Sequence, residues 1–361
     1  MNAPTYAVIL AGGKGERFWP LSTSRRPKQF LALVDERPLL RLAVERLAGL
    51  IPPERVLVIT GAAMADAARA AAPQVPRENV IGEPCGRDTA AACALACALV
   101  KACSPQAAFC ILTADHVIED LEVFRQTLRQ ALALAAETDR LLTIGIPPAF
   151  PSTGFGYIET AGRAAERAGV EFLAVRRFVE KPDRATAERF LAAGSYYWNS
   201  GMFIWSVRAF AAALARHAPA WSALAERVGE AVGRPDFDAV LRAEYERIEK
   251  LSVDYAVMEK ADNIWMARGA FRWDDVGSWP ALANHLTPDA AGNAVLGQCE
   301  ALDATGNVVV SRDRLTALIG VQDLVVVHAE GATLICPKHR AQDVRDLVRR
   351  LAARPDGERW L

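Results

Sequence analysis

The first half of the chain alternates short, almost unbroken apolar runs with longer amphipathic ones. Residues 6–11, 55–60, 107–114 and 140–146 are compact apolar stretches that read as strands. Between them, residues 39–50, 62–72, 89–102 and 121–137 place apolar side chains at helical spacing. Strands apolar on both faces, separated by helices, predict a Rossmann-like α/β fold with a mostly parallel sheet flanked by helices. Ligands of such sheets gather at the carboxyl ends of the strands, which directs attention to the loops after Ala11 and Ala114. The alanine-rich stretch 90–100 is too short to cross a bilayer and reads as a buried helix.

The pattern is less regular beyond residue 150. Residues 154–160 and 172–179 predict strands, 183–193 a helix capped by Asp183, and 196–206 an aromatic-rich extended segment followed by helices to about residue 247. Pro, Asp and Gly cluster at 287–293. After them, short apolar runs at 307–310, 317–319 and 324–328 alternate with Gly, Asp and Asn, and a helix is expected over 342–352. The reading is a large α/β domain, 1–288, and a small C-terminal β module with a terminal helix, 289–361.

Composition narrows the class. With 361 residues, 52% hydrophobic and 24% charged, the chain can bury a sizeable core, and a formal charge of -1 argues against a nucleic-acid binder. No uninterrupted apolar stretch approaches the roughly 18 residues of a membrane span. The first apolar run begins almost at once, without a basic flank, and reads as a strand rather than a signal peptide. Seven cysteines include no C-x-x-C pair; Cys93 and Cys97 lie one helical turn apart but lack further metal-ligand spacing, so they read as small buried residues of a cytoplasmic protein.

Residues 10–30, LAGGKGERFWPLSTSRRPKQF, directly follow the first strand. Gly12, Gly13 and Gly15 permit turns that side chains would block and present successive N–H groups to phosphate oxygens. The loop is neither a Walker A motif, since no Gly-Lys-Ser/Thr closes it, nor the dinucleotide fingerprint, since the required later glycine is missing. Thr60-Gly61, where a dehydrogenase would carry an acid, also excludes a NAD enzyme. Arg17 and Lys28 flank the loop, as a triphosphate being cleaved would require. Asp115, at the end of a strand, suits Mg²⁺ or a helix cap; Asp274 and Asp275 in FRWDDVGSW are equivalent by spacing. Glu180 and Lys181 in FVEKP, adjacent acid and base at the end of a strand, read from the residues alone first as a surface ion pair.

These segments resemble the sugar-nucleotide pyrophosphorylases, and the P-K-Q-F ending of the first loop is similar to that of mannose-1-phosphate guanylyltransferases. The A-D-H at 114–116, F-V-E-K-P at 178–182, W-N-S-G-M-F at 198–203 and G-F-G-Y at 154–157 also match family motifs, within a resemblance that covers about residues 6–280. The resemblance implies transfer of GMP from GTP to α-D-mannose 1-phosphate, giving GDP-mannose and pyrophosphate. Alternatives are another sugar phosphate or nucleotide, or a non-catalytic sugar-nucleotide-binding regulatory subunit.

By the same resemblance Arg17, Lys28 and Lys181 are catalytic. Leu10, Ala11, Gly12, Gly13, Gly15, Glu83, Arg87 and Thr89 bind the nucleotide, while Gly156, Glu180 and Asn199 bind the sugar. Asp115 and Asp275 hold Mg²⁺. In EPCGRDTA, Asp88 departs from the family's Asn, and Ala91 stands where Pro is usual; a guanine contact and a helix cap are both open for Asp88. SVDYAVME at 252–259 also matches, with Asp254 expected to cap a helix. The resemblance favours a homodimer, and the phosphomannose isomerase domain of the longer bifunctional members is not expected.

Overall fold

The structure is a computed structural model and describes residues 3–13 and 15–361. Lys14 of the glycine loop therefore lies outside the described residues. The chain divides into two compact units, one of residues 1–12, 43–114 and 118–273, the other of 13–42, 115–117 and 274–361.

In the first unit, strands β1 (Thr5–Ala11), β2 (Val56–Gly61), β3 (Val80–Glu83) and β4 (Ala108–Thr113) pair in parallel in the order β3-β2-β1-β4. The two-residue strand β5 (Val117–Ile118) interrupts the chain before the sheet resumes. The sheet continues through β6 (Leu141–Ile146), β7 (Tyr157–Arg167), β8 (Val170–Val179), β9 (Tyr196–Ser206) and β10 (Ile264–Arg268), giving the full order β3-β2-β1-β4-β9-β6-β10-β8-β7. β9 enters antiparallel between β4 and β6, and β8 is antiparallel to β7 and β10. β10 is parallel to β6, and β7 also pairs antiparallel with β9.

The parallel, helix-flanked sheet expected from the sequence is present, and residues 196–206 are extended as predicted. Two strands of this nine-stranded sheet escape the hydrophobic pattern. β3 is only four residues long, and β10 is a five-residue stretch in which Trp265 is partly exposed and Arg268 exposed, too short to distinguish from a loop. β7 begins at Tyr157 rather than residue 154, because Thr153, Gly154 and Phe155 form a bend before it. The helix expected over 39–50 ends as Leu39–Glu45, and turns carry the chain to Gly49, whose φ is +78°.

Helix Asp88–Cys103 is the centre of the first unit's core. Its run from Ala90 to Val100 is buried throughout, so small side chains let neighbouring elements approach closely. Gly229 of helix Pro219–Ala231 would place a Cβ 3.8 Å from Ala98. Trp205 and Phe210 stack at 3.9 Å between ring centroids in the same cluster. Asp183 caps helix Arg184–Ala193, its Oδ1 accepting the Thr186 N–H at 2.7 Å, as predicted.

The second unit carries β11 (Trp273–Asp274, which begins in the first unit), β12 (Ala294–Leu302), β13 (Val308–Ile319), β14 (Leu324–Ala329) and β15 (Ala332–Pro337). The last four form one sheet in chain order, parallel except for the β14–β15 hairpin. The separate runs expected at 307–310 and 317–319 belong to a single strand. Polar residues 312–314 bulge outward between them, so Gly297 pairs with Ser311 while Gln298 pairs with Leu315. Ser311 Oγ bridges this bulge to the Arg314 carbonyl at 2.7 Å. Asn293 and Asn307 stack beneath the turns: Asn307 donates to Asn293 Oδ1 from both its main chain and its side chain, and its own Oδ1 accepts the Leu324 N–H, each at 2.9 Å. The closing helix, Val344–Ala352, is preceded by a 3-10 turn, Lys338–Asp343.

No helix among the described residues is long and apolar enough to cross a membrane.

Candidate active site

The cationic loop and the acidic pair meet in the second unit. Phe18, Trp19, Leu31, Val276 and Trp279 share one apolar cluster, with Phe18 and Trp279 rings 4.7 Å apart. Burying these side chains draws segments 15–31 and 275–282 together although some 250 residues separate them. Gly15 sits at φ +60°, and a Cβ there would lie 2.5 Å from Lys28 Cβ and 2.8 Å from Ser22 Oγ, so glycine is required on two counts.

Lys28 is buried, and its ammonium donates to Asp115 Oδ2 at 2.9 Å and to the Asp275 carbonyl at 2.6 Å. Burial acts to raise the Asp115 carboxyl, but the Lys28 ammonium and then His116 outweigh it and hold the group below its usual range. Asp275 goes the other way. Burial pushes its carboxyl up, Lys28 only partly relieves this, and the Asp274 and Asp115 carboxylates push it further. Arg17 donates to the Gly277 carbonyl at 3.4 Å.

The backbone settles the difference between the adjacent aspartates. Asp274 engages both oxygens, Oδ1 with the Val276 N–H at 2.7 Å and Oδ2 with His285 Nε2 at 3.1 Å. Asp275 directs Oδ1 to the Gly277 N–H at 3.0 Å. Val276, buried at φ +43°, forces the sharp turn that separates the two carboxylates. Asp115 caps no helix, since its carboxylate is committed to Lys28. Two crowded carboxylates, one of them paired with the Lys28 ammonium, fit a hard divalent cation that takes one or two protein oxygens and keeps its water. Among the described residues no group of three or more His, Cys, Asp or Glu side chains is arranged to hold a metal.

In the first unit, Leu10, Ala11 and Gly12 close β1, and Thr60 Oγ1 donates to the Ala11 carbonyl at 2.9 Å. Gly13, the next residue, has φ +95°. Glu83, Arg87 and Thr89 lie at the end of β3 and just beyond it. Tyr245 donates its hydroxyl to Glu83 Oε1 at 3.0 Å; burial, against that bond, pushes Glu83 up to about 7. Arg87 caps helix Phe237–Arg247, donating to the Tyr245 carbonyl at 2.7 Å and the Glu246 carbonyl at 3.1 Å. Thr89 Oγ1 accepts the Val253 N–H at 2.9 Å. Asp88 opens the following helix at φ +67°, its Oδ1 accepting the Thr89 N–H at 2.8 Å; its contact is local to the helix start.

Gly156, Glu180 and Asn199, the residues expected on the sugar side, converge in the same unit. The Asn199 N–H donates to the Gly156 carbonyl at 2.8 Å, and a Cβ on Gly156 would lie 2.6 Å from Glu180 Oε2 and displace that carboxylate. Glu180 also pairs with Lys181, whose φ of +41° marks strained backbone just after β8. Asn199 Nδ2 donates to Asp254 Oδ1 at 2.9 Å.

Residues 6–290 match the family model described as nucleotidyl transferase, and residues 297–351 match that of a MannoseP isomerase/GMP-like beta-helix domain. The chain is 36% identical over 358 residues to the mannose-1-phosphate guanylyltransferase of Escherichia coli (strain K12), covering 96% of this chain and 73% of that protein. It is 37% identical over 354 residues to the alginate biosynthesis protein AlgA of Pseudomonas aeruginosa, over 97% of this chain and 73% of that one. The chain belongs to the mannose-1-phosphate guanylyltransferase family. A solved structure from Thermus thermophilus, described as a mannose-1-phosphate geranyltransferase, superposes on 97% of this chain and 99% of that chain with a TM-score of 0.86 and 37% identity.

Within this family frame, one expectation is corrected. Asp254 does not cap a helix: Ser252 Oγ accepts the Tyr255 N–H at 3.4 Å, and the Asp254 carboxylate turns to Asn199 from a π-helical turn, Asp254–Met258. Local spacing favoured a cap because Asp is a good capping residue, whereas the partner lies 55 positions away in sequence. Tyr245 and His285 carry no signal in the sequence. Neither belongs to a recognisable motif, and only the tertiary fold brings them to Glu83 and Asp274.

Proposed function

We propose that the protein transfers GMP from GTP to α-D-mannose 1-phosphate, releasing pyrophosphate and forming GDP-mannose. The observation that carries this reading is the Lys28 ammonium between Asp115 and Asp275 beside the glycine loop, in a member of this family. A phosphate oxygen of the sugar phosphate attacks the α-phosphorus of GTP. That new P–O bond replaces the bond to the β-phosphate bridging oxygen, and pyrophosphate departs with the electron pair. The nucleophile is already anionic, so no protein base is required, and catalysis rests on positioning and charge.

Gly12, Gly13 and Gly15 offer main-chain N–H groups to the triphosphate, with Leu10 and Ala11 at its entry. Arg17 and Lys28 oppose the charge growing on the pyrophosphate, and Lys181 holds the sugar phosphate. Glu83, Arg87 and Thr89 shape the base side, largely through the hydrogen bonds they already make. Gly156, Glu180 and Asn199 receive the sugar. Asp115 and Asp275 are the proposed carboxylates for Mg²⁺, which supplies charge neutralisation on the phosphates when bound; the engagement of both Asp274 oxygens elsewhere supports Asp275 as the second of the pair. Residues 1–288 form the catalytic domain and 289–361 a β module in this reading, with a cytoplasmic homodimer as the working form.

Pyrophosphate release is the test, with Mg²⁺ present and GTP or ATP crossed with mannose 1-phosphate or glucose 1-phosphate. Release confined to GTP with mannose 1-phosphate is expected. Release with another pair keeps the chemistry and replaces the substrate; no release with any pair favours a non-catalytic subunit.

A further inference from the structure

We propose that Asp254 is a positioning residue for sugar selection, holding the Asn199 amide in the single orientation that presents an N–H donor to a sugar hydroxyl. The inference rests on the sugar-side reading above.

Asn199 has two side-chain partners, and their chemistry leaves only one amide orientation. The Gly201 N–H can only donate, and it meets Asn199 Oδ1 at 3.1 Å. The Asp254 carboxylate, when ionised, can only accept, and it meets Asn199 Nδ2 at 2.9 Å. A flipped amide would set donor against donor and acceptor against acceptor. One Nδ2 hydrogen is thereby spent on Asp254, and the second remains to donate to a ligand. The main-chain bond from Asn199 to the Gly156 carbonyl fixes the other end of the residue, beside the Glu180 carboxylate. An amide donor and a carboxylate acceptor set side by side are the groups that read the configuration of neighbouring hydroxyls.

Asp254 is itself held from behind. The Leu251 N–H donates to the Arg87 carbonyl at 3.3 Å, the Ala90 N–H to the Leu251 carbonyl at 3.1 Å, and the Val253 N–H to Thr89 Oγ1 at 2.9 Å. These bonds strap the segment before the π-helical turn to the start of helix Asp88–Cys103. Strap and turn aim the carboxylate at Asn199 rather than at its own helix. A carboxylate half-buried among other acids is costly to keep without such a partner. Its neighbours Glu180, Asp88 and Glu259 are also acidic, so Asn199 is its one favourable side-chain contact among the described residues.

The experiment compares full-length wild type, Asp254→Ala and Asp254→Asn in steady-state pyrophosphate release, varying GTP and sugar 1-phosphate separately. Asp254→Ala is expected to raise KM for mannose 1-phosphate about tenfold or more and to erode its preference over glucose 1-phosphate. KM for GTP should stay within about twofold. Asp254→Asn, whose Oδ1 can still accept from Asn199, should recover most of both losses. Unchanged sugar KM in Asp254→Ala, an equal rise in both KM values, or no recovery in Asp254→Asn would overturn the assignment. Thermal midpoints and direct titration of mannose 1-phosphate by calorimetry separate a folding defect from a lost contact. Failure of the substrate reading shows independently, as wild type that releases no pyrophosphate from GTP and mannose 1-phosphate; the variants are then compared on the sugar phosphate that wild type binds.

Discussion

Lys28 and Asp115 form an ion pair in which the lysine is buried and the aspartate half-buried, Nζ to Oδ2 at 2.9 Å, and the same ammonium reaches the Asp275 carbonyl at 2.6 Å. One cation thus ties the carboxylate of Asp115 to the main chain of Asp275, the two residues proposed for the metal. In the proposed function, a divalent ion held by Asp115 and Asp275 would add its charge neutralisation to that of the Lys28 ammonium.

Replacing Lys28 with Ala is therefore expected to lower kcat/KM on the order of 100-fold, the usual cost of losing a well-placed electrostatic donor. Lys28→Arg should fail to restore it, because the side chain is only 6% exposed and a guanidinium is larger and planar. Pyrophosphate release measures the loss, and circular dichroism establishes that the variants are folded. Near-normal turnover in Lys28→Ala would remove the residue from the chemistry.

Glu83 gives a pH prediction. Burial, against the Tyr245 hydrogen bond, pushes its carboxyl up to about 7 from 4.5. The folded protein then binds a proton that the unfolded chain has released, so this residue's contribution is fully present below about 4.5. It is lost as pH rises through 7, at no more than about 1.4 kcal/mol per pH unit. Glu83→Gln removes this contribution and keeps an acceptor for Tyr245. Denaturant titrations from below the ordinary carboxyl range to just above neutrality should show wild type losing stability relative to the variant as pH rises. Parallel curves would refute the shift.

Asn307 gives a stability prediction. It is fully buried and joins Asn293 to Leu324 in the β module. Asn307→Ala orphans the Leu324 N–H, while Asn293 Oδ1 keeps the main-chain N–H of residue 307 and loses only the side-chain donor, so a loss of about 1–3 kcal/mol is expected. Asn307→Leu, which restores volume without hydrogen bonds, should not recover it. Urea midpoints for the three proteins decide the matter.

Much of this molecule was legible along the chain. The apolar runs located β1, β2, β4 and β6, because strands buried on both faces leave little room for polar residues. The glycine loop, the two cations and the acidic motifs were visible because their chemistry demands particular side chains at short spacing. Gly15 and Gly156 lay within those motifs, and the close approaches to Lys28 and Glu180 show what a side chain would obstruct.

Other features exist only through contacts between distant segments. β9 lies antiparallel between β4 and β6, a pairing that no local periodicity encodes. Spacing left Asp274 and Asp275 equivalent, and they differ only because His285 and the turn at Val276 engage one and leave the other differently bonded. Asp254 has the local signature of a cap, yet its carboxylate serves Asn199. The sequence by itself determined which residue types and local conformations were available. The tertiary structure decided which partners they met, because burial sets the cost of leaving a polar group alone and only the folded chain supplies its mate.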